Sequence, residues 1–339
     1  MEKITWKRAN LTVTRMGFGC LPIQRLETGD AARLVRMAYD AGVTFFDTAR
    51  AYSDSEHKVS LALGDVRDRV VLATKTAAKT ADAFWKDLDT SLRTLNTSYI
   101  DVYQFHNPGF VPRPGGEDGL YDAALKARAE GKIRFIGITQ HSLERANEAV
   151  DSGLYDTLQY PFNHLATEGD IALVQKCGAV GMGFIAMKGL SGGLITDAAL
   201  PFSFLRTYPH VVPIWGIQRE SELAQFLALE KEPPVWDHAL RTRIEEDRHA
   251  LSGSFCRGCG YCLPCPANIP IDTANRITQL LQRSPTAQWL TPEWKERMER
   301  VEDCVHCGVC ATRCPYGLKP FDTLPGHLSY YRELYAQQK

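Results

Sequence analysis

Residues 70–106 read VVLATKTAAKTADAFWKDLDTSLRTLNTSYIDVYQFH. Val70 to Lys75 and Ile100 to His106 are short runs rich in β-branched and aromatic residues, and Asp82 to Leu95 between them has helical length and composition. Strand, helix and strand in that order form a crossover unit whose two strands run parallel. Parallel strands carry helices on both faces, so they are apolar on both sides.

The same cycle extends from residue 15 to about 230. Further strands are expected at Met16 to Cys20, Val43 to Asp47, Ile133 to Thr139, Thr157 to Tyr160, Val180 to Met187 and Val211 to Trp215. Between them, Ala31, Leu34, Val35, Ala38 and Tyr39 recur at i, i+3, i+4, i+7 and i+8, the stripe of a helix packed on one side. Gly42 stops that helix. Ser142 to Val150 and Asp170 to Lys176 are helical too, the latter opening with Thr167-x-x-Asp170 in the manner of a capping box. Eight βα units close into a barrel, whereas six would make an open sheet. No G-x-G-x-x-G opens a helix, which argues against a Rossmann domain. The expected fold class is α/β, a (β/α)8 TIM barrel over residues 1–230.

Eight of the ten cysteines lie beyond the barrel in two runs. Cys256, Cys259, Cys262 and Cys265 precede Pro266; Cys304, Cys307, Cys310 and Cys314 precede Pro315. The second run has the C-x2-C-x2-C-x3-C-P spacing of bacterial ferredoxins, and the first differs only in its final x2. Three thiolates at this spacing curl around one cubane, while the fourth, turned away by proline, reaches the other. Cys256, Cys259, Cys262 and Cys314 are therefore assigned to one 4Fe-4S cluster, and Cys304, Cys307, Cys310 and Cys265 to a second. Structural zinc favours separated C-x2-C pairs, and disulfides suit small secreted chains, so neither fits as well. Residues 256–339 are expected to form a small, mainly helical, ferredoxin-like domain. Ile277, Leu280, Leu281, Trp289, Leu290 and Trp294 would cover the clusters, with a break near Pro285 and a tyrosine-rich amphipathic helix from Phe321 to Tyr335. Residues 231–255 join the domains: Pro233-Pro234 ends the barrel, and Trp236 to Leu251 reads as a solvated connecting helix.

Of the 339 residues, 44% are hydrophobic and 23% charged, with a formal net charge of -1. That balance indicates no basic face for nucleic acid. The first residues lack the apolar core of a signal peptide, and no run approaches the roughly 20 apolar residues of a membrane span. The expected setting is the cytoplasm.

In a parallel barrel the chemistry sits where strands end and βα loops begin. Those ends supply Asp47 and Tyr52 after the second strand, Lys75 on the third and His106 on the fourth. An ammonium beside a tyrosine eases loss of its proton, and an aspartate would hold that ammonium. Tyr52 can then protonate a carbonyl oxygen while hydride reaches the carbon, with His106 orienting and polarising the carbonyl. Taken singly, these residues have ordinary readings as a helix cap, a surface charge and a loop histidine. Phe110, Tyr121 and Phe162 are candidates for an apolar pocket wall, and Cys20 reads as a buried apolar thiol.

Gly17-Phe18-Gly19, Phe46-Asp47-Thr48-Ala49 with Tyr52, Ala73-Thr74-Lys75, Tyr103-Gln104-Phe105-His106 and Gly131 to Gly137 together resemble an aldo/keto reductase. The whole chain resembles the branch of that family with a C-terminal ferredoxin-like domain. The resemblance implies a nicotinamide cofactor, usually NADPH, over the C-terminal mouth of the barrel, with Asp47, Tyr52, Lys75 and His106 catalytic. It further implies that Thr139, Gln140 and Gln159 meet the nicotinamide carboxamide. After the eighth strand the chain departs from the family pattern, reading Gly216-Ile217-Gln218-Arg219-Glu220-Ser221 with Phe226 in place of an asparagine near the adenine. Arg219 offers a guanidinium to a 2′-phosphate, but Glu220 weakens the local positive field. The stretch from Leu194 to Pro209 is short and carries two prolines.

Nicotinamides give two electrons as hydride, whereas each cluster takes one, and a converter such as a flavin normally stands between them. Three functions are open. The chain is an NADPH-dependent carbonyl reductase with a structural or regulatory cluster module. Alternatively, the clusters exchange electrons with a barrel-bound substrate without nicotinamide, through an external ferredoxin or flavoprotein. In the third, a degenerate barrel serves as a docking scaffold.

Overall fold

The computed structural model describes residues 1–251, 255–283 and 286–337. It divides into two units, one of Met1–Gly189 with Ala199–Asp237, the other of Leu190–Ala198 with His238–Lys339.

The first unit begins with an antiparallel hairpin, β1 (Lys3–Trp6) and β2 (Leu11–Thr14). Eight parallel strands follow: β3 (Gly17–Gly19), β4 (Phe45–Asp47), β5 (Val71–Thr76), β6 (Ile100–His106), β7 (Ile133–Thr139), β8 (Thr157–Pro161), β9 (Gly183–Met187) and β10 (Val211–Gly216). Each pairs with the next, and β10 closes on β3, giving the eight-stranded barrel expected from the βα cycle. Helices α1 (Thr28–Asp40), α2 (Ser55–Leu63), α3 (Ala81–Thr94), α4 (Leu120–Ala129), α5 (Leu143–Ser152), α6 (Glu168–Ala179), α7 (Ala199–Arg206) and α8 (Glu220–Lys231) alternate with the strands.

Local chemistry sets these elements. The stripe of α1 buries Ala31, Leu34, Val35 and Ala38, and Gly42 takes a φ of 98° just beyond the helix. The Thr167–Asp170 capping box is present at the start of α6. Pro201 is accommodated in the first turn of α7, where its missing N–H costs no intrahelical bond.

The hairpin was not foreseen, because two four-residue strands carry too little periodicity. Its Trp6 packs edge-on to Phe45 with ring centroids 5.5 Å apart, in a cluster with Val102, Ile185 and Val212. It plugs the barrel from the end where the strands begin. Tyr121 and Phe162 are also placed differently from the expectation. Tyr121 is buried against Tyr155, and Phe162 among Phe184, Phe204 and Tyr208, so both are core residues rather than pocket wall. Phe110 remains exposed.

In the second unit, α9 (His238–Ala250) occupies the expected connecting stretch and buries only Leu240, Ile244 and Asp247. Then come α10 (Ile271–Ala274), α11 (Ile277–Arg283), α12 (Pro292–Glu299), α13 (Val309–Thr312) and α14 (Pro320–Ala336). The break expected near Pro285 lies outside the described residues. The amphipathic α14 buries Leu324, Leu328 and Tyr331 on one stripe, against Ile277, Leu281 and Met298. Trp289, Leu290 and Trp294 flank this core, and the Tyr331 hydroxyl donates to the Trp289 carbonyl at 2.8 Å. Among the described residues no helix is long and apolar enough to cross a membrane.

Candidate active site and cysteine-rich centre

Barrel register brings the candidate residues to one end. Asp47 is the last residue of β4, Lys75 on β5 is level with Gln104 on β6, and His106 ends β6 level with Thr139, which is level with Gln159. Gln104 lies level with Gly137, where a Cβ would stand 2.8 Å from the Gln104 side chain. The bare backbone there leaves Gln104 room to reach inward.

Lys75 and Asp47 form a buried pair, with Nζ 2.6 Å from Asp47 Oδ2 and 2.6 Å from the Thr48 carbonyl oxygen. Gln104 Nε2 donates to Asp47 Oδ1 at 3.1 Å, and the Gln159 amide also hydrogen-bonds this carboxylate. Burial holds the Asp47 carboxyl above the usual carboxylate range despite the favourable Lys75 charge. Gln104 was not among the expected site residues, although a polar residue inside the apolar run IDVYQFH is the signal that marks it.

Tyr52 follows β4 in a loop tied to the barrel by Thr48 N–H to the Ala73 carbonyl and by Arg50 N–H to the Lys75 carbonyl, at 2.8 and 3.0 Å. Its ring stands edge-on to His106, centroids 5.8 Å apart, with Lys75 Nζ 5.2 Å from its centroid. Asp47, Tyr52, Lys75 and His106 are thus brought together. The ammonium does not depress the tyrosine as expected. Burial first, then the charges of Asp47 and Cys20, push the Tyr52 phenol well up. Burial, then Lys75, lowers His106 to about 3. The site therefore presents a phenol that keeps its proton and a neutral imidazole. Cys20 is fully buried, its thiol pushed up by burial, as expected of an apolar thiol.

Thr139, Gln140 and Gln159 are buried on adjacent strand ends. Thr139 accepts the Asn107 N–H at 2.9 Å, while Gln140 Nε2 donates to the Pro108 carbonyl at 3.1 Å. The side-chain oxygens of Gln140 and Gln159 have no hydrogen-bond partner. Two buried, unpaired carbonyl oxygens suit an incoming amide donor, so these residues fit the carboxamide end of a nicotinamide. The opposite end of that cofactor fits poorly. Gly216 ends β10, and Arg219 is exposed beside Glu222 at 3.6 Å. Glu222 Oε2 already accepts the N–H groups of Gln218 and Arg219, at 2.8 and 3.2 Å. A carboxylate of the chain occupies the amides that a phosphate would use. Phe226 stacks on Trp215 at 4.3 Å in the core.

In the second unit, Cys265, Cys304, Cys307 and Cys310 line one cavity, together with Cys262 and the apolar side chains of Ile271, Phe321 and Leu324. Sulfur donors converging on an apolar cavity are what an iron-sulfur cluster requires. The thiols of Cys256, Cys259 and Cys262 act on one another. Cys262 is pushed up to about 12 by burial and by the charges of Cys256, Asp272 and Cys259. Cys256 is raised mainly by burial and accepts the Gly258 N–H at 3.4 Å. Residues flanking Cys314 touch the first run. Arg313 Nη1 lies 3.5 Å from the Leu263 and Pro264 carbonyls, and Arg257 stacks on the Tyr316 ring at 4.6 Å. Thiol donors of this kind suit iron-sulfur ligation.

Residues 15–202 match the model of the aldo/keto reductase family, and residues 255–319 that of a 4Fe-4S dicluster domain. Aldo-keto reductase YhdN of Bacillus subtilis is 33% identical over 191 residues, 48% of this chain and 54% of the relative. L-galactose dehydrogenase of Arabidopsis thaliana is 29% identical over 210 residues, 56% of this chain and 66% of the relative. The chain thus spans about half to two thirds of the length of these curated relatives. An aldo-keto reductase from Klebsiella pneumoniae, solved in complex with NADPH, superposes with a TM-score of 0.63 at 23% identity, covering 73% of this chain and 95% of that one. At that identity the likeness is one of fold. The matched family model spans more than half of a closed eight-stranded barrel, so the chain belongs to the aldo/keto reductase family of oxidoreductases and carries a C-terminal 4Fe-4S dicluster domain.

Proposed function

We propose that the barrel interconverts a small carbonyl compound and its alcohol at Tyr52, with Asp47, Lys75 and His106 in support. The observation that carries this is the buried Lys75–Asp47 pair set beneath Tyr52 and beside His106. A nicotinamide, NADP(H) by family expectation, supplies hydride at the carbonyl carbon when bound. Tyr52 holds the proton for the oxygen, since burial and Asp47 keep its phenol neutral until negative charge develops on the substrate. Lys75, fixed by Asp47 and the Thr48 carbonyl, offsets the charge left on the phenolate. Neutral His106 donates a hydrogen bond that orients the carbonyl. Thr139, Gln140 and Gln159 hold the carboxamide, with Gly216 and Arg219 at the far end of the cofactor.

Two 4Fe-4S clusters supply one-electron transfer, one on Cys256, Cys259, Cys262 and Cys314, the other on Cys304, Cys307, Cys310 and Cys265. An external ferredoxin or flavoprotein is the matching partner class. Eight cysteines kept reduced for iron suit the cytoplasm.

The test is Tyr52→Phe in cluster-replete protein. Carbonyl turnover should fall by about 10²–10⁴, the usual worth of a positioned acid, with cluster absorbance and far-UV signal unchanged. Unchanged turnover defeats the assignment. Glu222 on the α8 amides favours a second reading, in which the clusters serve a barrel-bound substrate without nicotinamide. Anaerobic addition of NADPH and then NADH separates the two: tight binding of either supports the first, and no binding of either supports the second.

A further inference from the structure

We propose that Arg276 is the charge-compensating residue of the cluster on the Cys256 run, raising its reduction potential while leaving the other cluster untouched. This rests on the two-cluster reading above and goes beyond it.

Arg276 is 8% exposed, an expensive place for a cation. Its hydrogen bonds go to carbonyl oxygens: Nε to Asp272 at 2.9 Å, and Nη1 to Gly192 at 2.9 Å and Ser191 at 3.3 Å. Among the described residues it forms no ion pair with a carboxylate within 4.0 Å. A buried guanidinium without a paired anion calls for one nearby.

The anion is marked by what the guanidinium rests on. It lies against the backbone of Gly258, the residue before Cys259, so closely that a Cβ there would stand 2.5 Å from Arg276 Cζ. Gly258 also holds a φ of 59°, so glycine is favoured at that position by its backbone as well as by space.

A cluster ligated by four thiolates is anionic and gains one more negative charge on reduction. A fixed cation beside it favours the reduced state, which raises the potential. Arg276 does not line the cavity that holds Cys304, Cys307 and Cys310, so its charge acts on the Cys256 side. Arginine suits the task better than lysine, because its planar fork can stack on Gly258 while donating to carbonyls on two segments.

The experiment is an EPR-monitored redox titration of fully reconstituted wild type, Arg276→Gln and Arg276→Lys, with iron and sulfide measured in each. In the glutamine variant one midpoint should fall and the other stay, at unchanged iron content. The lysine variant should lie closer to wild type, and Cys256→Ser should remove the signal that shifts. Unshifted midpoints at full iron content overturn the proposal, as does an equal shift of both. If the glutamine variant loses half its iron, the lysine variant decides. Full iron with a near-native potential supports charge compensation, whereas iron loss with a native remaining potential assigns Arg276 a purely structural role. Wild type that takes up no iron and sulfide would defeat the cluster reading instead.

Discussion

His106 sits at the end of β6 with Lys75 among the charges around it, and burial together with that charge lowers its pKa to about 3. The unfolded chain would titrate near the ordinary 6.5. Between those values the folded state binds fewer protons than the unfolded one. The stability tied to a neutral His106 is therefore present above about 6.5 and lost as pH falls towards about 3. Two results are expected. The imidazole nitrogens of His106 should report a neutral ring by NMR at pH 5, and His106→Asn should flatten the loss of urea stability between pH 6 and 4. A charged ring at pH 5 would remove this account of how the carbonyl is oriented. That Asp47, Tyr52, Lys75 and His106 gather in one place was legible because each stands at or just after a strand end. Their electrostatics were not. The sequence places an ammonium near a phenol, but only the structure shows burial first, then the Asp47 charge, pushing the Tyr52 phenol up.

The start of α8 shows what one element decides. Glu222 reaches back to two backbone N–H groups, so the turn is already neutralised from within. Replacing Glu222 by Gln keeps an acceptor for the cap and removes the charge. The ratio of NADPH to NADH affinity should rise several-fold, measured by fluorescence titration; an unchanged ratio would place the 2′-phosphate away from this turn. The eight barrel strands were readable because parallel strands buried on both faces give continuous apolar runs, and their ends fell within a few residues of expectation. The self-capping of α8 follows from side-chain direction, which spacing does not reveal. The cysteine runs lie at the opposite extreme, since metal-ligand spacing is written directly in sequence. Even so, which thiols share a cluster depends on the packing between segments. Cys265 lines the cavity of Cys304, Cys307 and Cys310, so Cys265→Ser should damage that cluster, and EPR loss at the Cys256 run instead would reverse the assignment.

At the scale of the molecule, the two units differ in what holds them together. The barrel has closed main-chain pairing and a continuous apolar core, with no cysteine of the two runs in it. Beside the longer α9 and α14, the second unit has short helices, two of them (α10 and α13) of one turn only, and its core is a modest cluster of Ile271, Ile277, Met298, Leu324, Leu328 and Tyr331. Such a core gives little independent stability, and helices of four residues do not persist in water unaided. Binding free energy of the clusters is then folding free energy for this unit. Burial of the thiols, which raises Cys256 and Cys262, disfavours a charged, metal-free state in the same place. Anaerobic removal of iron with a chelator should therefore abolish hydrogen-exchange protection across residues 256–336 while β3 to β10 keep theirs. Circular dichroism should fall by the helical share of the second unit alone. Loss of protection throughout the barrel would show that the clusters stabilise the whole chain. Unaltered protection in α11, α12 and α14 would show that the helices are stable without metal, leaving the clusters to a purely electron-carrying role.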